Sequence, residues 1–449
     1  MKKKLAQIFT LLILIAGSAT ELSAMPASEL PDFSEASLSQ IRLPNGMWVW
    51  FKPTDYETDQ ICIKVAALGG YASLPAVDRS SGELAASIGR ESGLGELTGD
   101  QVSVLLYENS LDFELKIQAF TRFIEGSSKK AGLETFLSCV QKVFTKQRFT
   151  EEGYKTALTN AKTSLQKLSC DADYAYEAAF LNINSQGLKV LQPMGPEDLT
   201  KVKFDFAKDF YKRAFSDPSE FVCVIVGSFD YDHALELVNK YLATIPQASQ
   251  PSYMAQSFTS TFPPGITQKE IHIPKRTDAV TCLTFPWQKT MNERKIYKMA
   301  FTCQIIEACL RRAITQKVKS SCGVHVSYEF PVYPFLENPW ISIHFQSDVG
   351  QVEELKQLVL GELKRLQEQG ITESEIQEIK ELEAGSDVFW LRENYYWSSM
   401  LTNYFLWKWN PQWIYLGAKL TQDLSPEKIN ILIKAAFSLQ NYSVITSKP

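Results

Sequence analysis

Histidines are the side chains best suited to hold a metal or to move a proton near neutral pH, and this chain has four, His233, His272, His325 and His344. None lies in the first 232 residues. His272 and His344 alternate with apolar residues in strand-like runs, and so read as strand side chains rather than ligands. Cys322 and His325 have Cys-x-x-His spacing, which can pair a thiolate with an imidazole, but a zinc site needs two further ligands and none is evident. "LGGYASLPAVDRSSGELAASIGRES", residues 68–92, offers Ser80 and Glu83. Ser-x-x-Glu is capping-box spacing, so Glu83 reads as part of a helix start before it reads as a general base. "GLGELTG" at 93–99 lacks the preceding strand of a dinucleotide site. Residue types and spacing thus assign no catalytic residue and no metal ligand, and they leave any substrate-binding residue unknown.

The scaffold around these positions has 449 residues, 45% hydrophobic and 22% charged, enough for two cores. A net charge of −5 without a long basic run implies neither nucleic acid nor a membrane surface as partner. Lys2, Lys3 and Lys4, the apolar run "IFTLLILIAG" and the small residues before Ala24 predict an export signal over 1–24, cleaved to leave a periplasmic protein with no membrane attachment. Among the cysteines, Cys62, Cys223 and Cys282 sit in apolar strand-like runs and behave as small hydrophobes.

Behind the signal, "QIRLPNGMWVWFKPT" predicts a hairpin turning at Asn45-Gly46, followed by the strand "QICIKVAAL". Helices are predicted near 80–91, 130–146 and 150–168, with the strand "DFELKIQAF" among them. "EFVCVIVGSFD" is a continuous apolar run, hence a buried strand. Residues 248–265 are rich in Ser, Gln and Pro and predict a linker. Beyond it the order of elements repeats. The predicted fold is α+β, with two similar domains at 25–247 and 266–449, each a mainly antiparallel sheet with helices packed on one face.

"LPNGMWVWFKPTD" at 43–55, Gly69-Gly70, and the helix, strand, Val-Gly, helix order of 206–246 resemble the insulinase/pitrilysin-like zinc peptidases, the inverzincins. "RENYYW" at 392–397 and "FKPTD" resemble the non-catalytic second half of the long members. The resemblance implies paired halves enclosing a peptide, and in active halves a His-x-x-Glu-His helix with a distant Glu completing the zinc set. Here the corresponding helix, 80–91, has no imidazole, and the window for the distant ligand offers Asn160 and Lys162. Active members also carry an Arg and a Tyr that hold the substrate oxyanion. Thr315 and Cys322 stand at those places, and a shifted register would use Arg312 with Lys319.

The resemblance therefore implies an exported, non-catalytic subunit that holds no zinc of its own. It forms the peptide chamber with a separate subunit carrying His-x-x-Glu-His, and zinc belongs to that partner. A stand-alone peptide-binding or scaffolding homodimer is the alternative, and an active metallopeptidase with an atypical metal site is a third reading. The run 388–417 has eleven aromatic residues in thirty. Core packing of a long helix explains part of that excess, and a partner or peptide surface explains the remainder.

Overall fold

A computed structural model describes residues 38–248, 261–274, 276–287, 293–317, 324–329, 340–380, 391–411, 414 and 424–449. The expected export signal, most of the expected linker, Lys319 and Cys322 lie outside the described residues.

The chain opens as predicted. Strands β1 (Ser39–Arg42) and β2 (Trp48–Pro53) pair antiparallel across the Asn45-Gly46 turn, with Arg42 opposite Trp48. Gly46 takes φ +90°, where an L side chain is strained. Asn45 donates to the carbonyls of Leu242 and Ile245 at 2.7 and 3.0 Å, fastening the hairpin to the end of a distant helix.

Next come β3 (Ile61–Leu68), α1 (Arg79–Ser92), α2 (Gly99–Glu108), β4 (Asp112–Ile117) and β5 (Thr121–Ser128). Then follow α3 (Leu133–Thr145), α4 (Glu151–Leu168), α5 (Ala172–Asn184), α6 (Phe204–Ala214), β6 (Val222–Gly227) and α7 (Tyr231–Tyr241). Helix α2 is one the sequence reading lacked. Its start is fixed by Thr98 and Gln101, which form a reciprocal capping box.

The second half contains β7 (Ile266–His272), β8 (Ala279–Pro286), α8 (Glu293–Lys317), β9 (Val324–Glu329), β10 (Trp340–Ser347) and α9 (Val352–Gln369). It continues through a helical stretch at 373–380 to α10 (Asn394–Trp407), α11 (Pro426–Ala436) and β11 (Tyr442–Lys448). Thr372 and Glu375 exchange the hydrogen bonds of the expected capping box.

Among the described residues the strands form one six-stranded sheet, ordered β1-β2-β6-β3-β5-β4, and one five-stranded sheet, ordered β7-β11-β8-β10-β9. Without β1 the two orders coincide, strand for strand, so the fold is α+β with two similar sheets. Both are mainly antiparallel, and each has one parallel pair, β2 with β6 and β7 with β11.

Each sheet packs its own helices on one face. In the first half Leu84, Phe136, Phe210 and Leu237 close over Val49, Ile63, Ile124 and Ile225. In the second, Ile305, Leu310, Leu363 and Ile433 close over Leu283, Phe285, Ile341 and Val444. The opposite faces are covered by exchange. Helix α10, from the second half, lays Trp397, Leu401 and Tyr404 on Trp50, Val222, Val224 and Val226 of the first sheet. Helix α5, from the first half, sets Phe180 against Cys282, Trp340 and Ile445 of the second.

A buried asparagine pins each exchanged helix. Asn394 accepts from Thr54 Oγ1 at 2.6 Å and donates to Gln60 at 3.2 Å. Asn184 accepts from Ser443 Oγ at 2.6 Å and donates to Thr284 Oγ1 at 3.4 Å. Buried polar groups must find partners, and these two find theirs across the boundary between halves. Lys52, also buried, lies 4.2 Å from the Trp397 ring centroid, and burial pushes its ammonium down to about 8.

Candidate functional site

The loop into α1 is set by the glycine pair. Gly69 takes φ +99°, and a Cβ on Gly70 would fall 1.9 Å from the Gln118 carbonyl oxygen, so both positions require glycine. The helix itself begins at Arg79, with Asp78 at its N-cap. Ser80 therefore lies inside the first turn, buried, and neither it nor Glu83 caps the helix, which corrects the capping-box reading. The start is secured otherwise. Asp78 receives Lys203 Nζ at 2.9 Å, and Ser81 Oγ accepts from the Lys203 backbone N–H at 2.9 Å.

Small residues let α1 pack closely. A Cβ on Gly89 would lie 2.6 Å from the Tyr211 ring, one on Gly82 would lie 2.4 Å from Leu74, and one on Gly153 of α4 would lie 2.2 Å from Ser92 Oγ. Neighbouring rings and backbone thus occupy the space that side chains on this helix would need.

Glu83 is the one acid of α1 that is largely enclosed. Burial, and secondarily the Asp198 carboxylate, raise its carboxyl from 4.5 to about 7. A proton is then held more tightly in the folded state than in the unfolded chain, so the stability tied to Glu83 is complete below about pH 4.5 and is lost as pH rises through 7. Glu83→Gln is expected to match the wild type at pH 4.5 and to exceed it by about 1–3 kcal/mol at pH 8. Urea unfolding at the two pH values checks this, and equal differences at both would refute it.

The remaining residues singled out in the sequence are scattered. Asn160 and Lys162 are exposed on α4, whose buried Gly153 and Ala157 face α1. His233 is exposed on α7, 3.9 Å from Glu236, and His272 is exposed on β7. His325 Nδ1 lies 3.1 Å from Glu307, and His344 Nε2 lies 3.6 Å from Cys282 Sγ on the neighbouring strand. Thr315 is exposed and bonds back to the Arg311 carbonyl, while Arg312 pairs with Glu375 and Glu378. Among the described residues no three His, Cys, Asp or Glu side chains converge as a metal site would require. The donors at α1 do not suit zinc: the helix has no imidazole, its enclosed carboxyl, Glu83, holds its proton more tightly than usual, and Asn160 and Lys162 on α4 are an amide and an ammonium group.

What the fold does bring together is a cleft of about 540 Å³ where the first sheet meets the end of α10. Trp48, Trp50 and Leu68 line one wall, and Tyr404, Phe405 and Trp409 line the other. Leu406, Pro411, Glu220 and Lys408 complete the lining. Glu220 is tied to Arg122, which is fully buried, stacks over the Phe221 ring and also donates to the carbonyls of Ala214 and Leu68. The aromatic excess of 388–417 signalled one wall of this cleft. Nothing in the sequence linked Trp48, Trp50 or Arg122 to it, because their convergence depends on the exchange of α10.

Residues 201–383 match the family described as "Peptidase M16 inactive domain". The chain is 27% identical over 383 residues to the "Zinc protease PQQL-like" of Arabidopsis thaliana, covering 82% of this chain and 37% of that protein. In fold it is similar to the periplasmic protease PqqL from Escherichia coli, with a TM-score of 0.75 and 17% identity over 97% of this chain and 48% of that one. It is equally similar, at TM-score 0.75 and 12% identity, to a peptidase M16 inactive domain from Pseudomonas fluorescens, covering 92% of this chain and 98% of that one. The chain spans well under half the length of the curated relatives it matches.

Proposed function

We propose that this is an insulinase-family protein that does not cleave peptide bonds itself. It forms one half of a peptide chamber whose other half is a separate exported subunit carrying His-x-x-Glu-His and the zinc. The carrying observation is α1, which has no imidazole. Placement in the periplasm rests on the signal-like residues 1–24 and on the similarity in fold to a periplasmic protease of Escherichia coli. Among the described residues no helix is long and apolar enough to cross a membrane.

Co-expression with a His-x-x-Glu-His subunit encoded alongside it is the test. The expected result is a stable pair with peptidase activity that a chelator abolishes, while neither subunit alone approaches the turnover of the pair. Metal-dependent turnover by this chain alone would refute the reading. A second reading is a stand-alone peptide-binding protein. A homodimer that binds peptides and ignores the catalytic subunit would establish that alternative.

A further inference from the structure

The two sheets share a strand order but differ at one edge. In the first half the chain enters β2 through the Asn45-Gly46 hairpin, which lays β1 along the outer side of β2. In the second half it enters β7, the counterpart of β2, from across the sheet: Phe262 packs on Trp340 of β10, and Gly265 turns into the strand at φ +72°. Among the described residues no strand lies along the outer side of β7. Two hydrogen bonds to β11 fix the direction of its main-chain groups. Tyr442 N–H donates to the Gly265 carbonyl and Ile273 N–H donates to the Lys448 carbonyl, so by the alternation of a strand Ile266, Gln268, Glu270 and His272 face outward. Among the described residues nothing bonds to the N–H or C=O of these four. The strand has no proline, glycine or bulge, and so presents an unbroken ladder of free donors and acceptors. The far edge of the same sheet differs, since on β9 the Val326 N–H is taken by the Glu307 carboxylate at 2.9 Å.

Such a ladder is matched by one chemistry, the backbone of another extended polypeptide. Charge then selects among extended segments. Lys269, at the middle of β7, is exposed and has no ion pair among the described residues, whereas Glu270 is paired with Lys448. A second copy of this chain fits poorly: the symmetric antiparallel register that engages all four outward residues sets Lys269 opposite Lys269, and like charges directly opposite are destabilising. We propose that β7 is a docking edge for an extended segment of a partner protein that places an acidic side chain opposite Lys269. The segment takes the position on β7 that β1 holds on β2, and it extends the five-stranded sheet by one strand. The assignment stands apart from the peptide-chamber reading, because it concerns the edge of the second sheet and neither α1 nor the aromatic cleft.

The test is calorimetry and amide hydrogen exchange on the full chain with acetyl-Thr-Val-Thr-Glu-Thr-Val-Thr-amide, whose palindromic order suits either strand direction, and with the same peptide carrying Lys in place of Glu. The Glu peptide is expected to bind at least about fivefold more tightly than the Lys peptide and to slow exchange at Gln268 and Glu270. In Lys269→Glu the order of the two peptides is expected to reverse. Gln268→Pro removes one outward N–H from an edge position, where proline is tolerated, and is expected to weaken the Glu peptide at least about fivefold with circular dichroism unchanged. Equal affinity for the two peptides, affinity undiminished in Gln268→Pro, or no binding up to about 1 mM peptide would overturn the assignment. So would slow exchange at Gln268 and Glu270 in the free chain, which would mean that the chain fills its own edge, or a homodimer that Gln268→Pro dissolves.

Discussion

Replacing Arg122 with methionine is expected to lower stability by about 3–5 kcal/mol, among the largest losses any single substitution in the first half would cause. The guanidinium is fully buried and joins three segments: the end of β3 through the Leu68 carbonyl, the end of α6 through the Ala214 carbonyl at 2.6 Å, and Glu220. Removal strands the mostly buried Glu220 carboxylate and frees carbonyls that water reaches poorly. Methionine keeps much of the volume, so the loss reports charge and hydrogen bonding more than a void. Arg122→Met combined with Glu220→Gln is expected to recover a substantial part of the loss, because the unpaired charge is then absent. Urea denaturation of the two single variants and the double variant checks this. A loss below about 1 kcal/mol for Arg122→Met would show that the buried pair is dispensable.

The second large effect concerns the exchanged helices. Trp397→Ala is expected to cost about 3–5 kcal/mol, because the indole is wholly buried and covers β6, whose residues are buried on both faces. The indole N–H also donates to the Leu391 carbonyl at 2.9 Å, fixing the approach to α10. A stronger consequence follows from the reciprocity. The fragment 38–248 lacks α10 and would expose Trp50, Val222, Val224 and Val226, and a fragment beginning at 261 lacks α5 and would expose Cys282, Trp340 and Ile445. Neither fragment is expected to fold alone, and the full chain is expected to unfold in one cooperative transition. Two separate calorimetric transitions, or a folded, monomeric first-half fragment, would refute this.

The elements of the fold were largely legible in the sequence because their signals are local. Asn45-Gly46 fixes its own turn, Thr372 and Glu375 form their capping box across a single helical turn, and the continuous apolar run at 222–226 declared a strand covered on both sides. It did not say what covers the second face. Helix α5 was missed because its partners are strands of the other half, so its own sequence has little amphipathic contrast to show. The capping-box reading of Ser80 and Glu83 failed because Asp78 starts the helix two residues earlier, and spacing alone cannot distinguish the two starts. The lack of imidazoles near α1 could be read directly. The cleft could not, since Trp50 and Lys408 come from opposite halves of the chain.

The reciprocal clasp bears on how such a protein is made. A polypeptide emerging amino end first completes its first sheet when residues 222–227 appear, yet the helix that roofs that sheet arrives only with residues 394–407. Over that interval a row of valines and a tryptophan stays open to collision with other nascent chains. Synthesis and any passage through a translocon must therefore be matched by a holding factor, or by slow consolidation of the first sheet, until the carboxyl-terminal segment reaches back to close it.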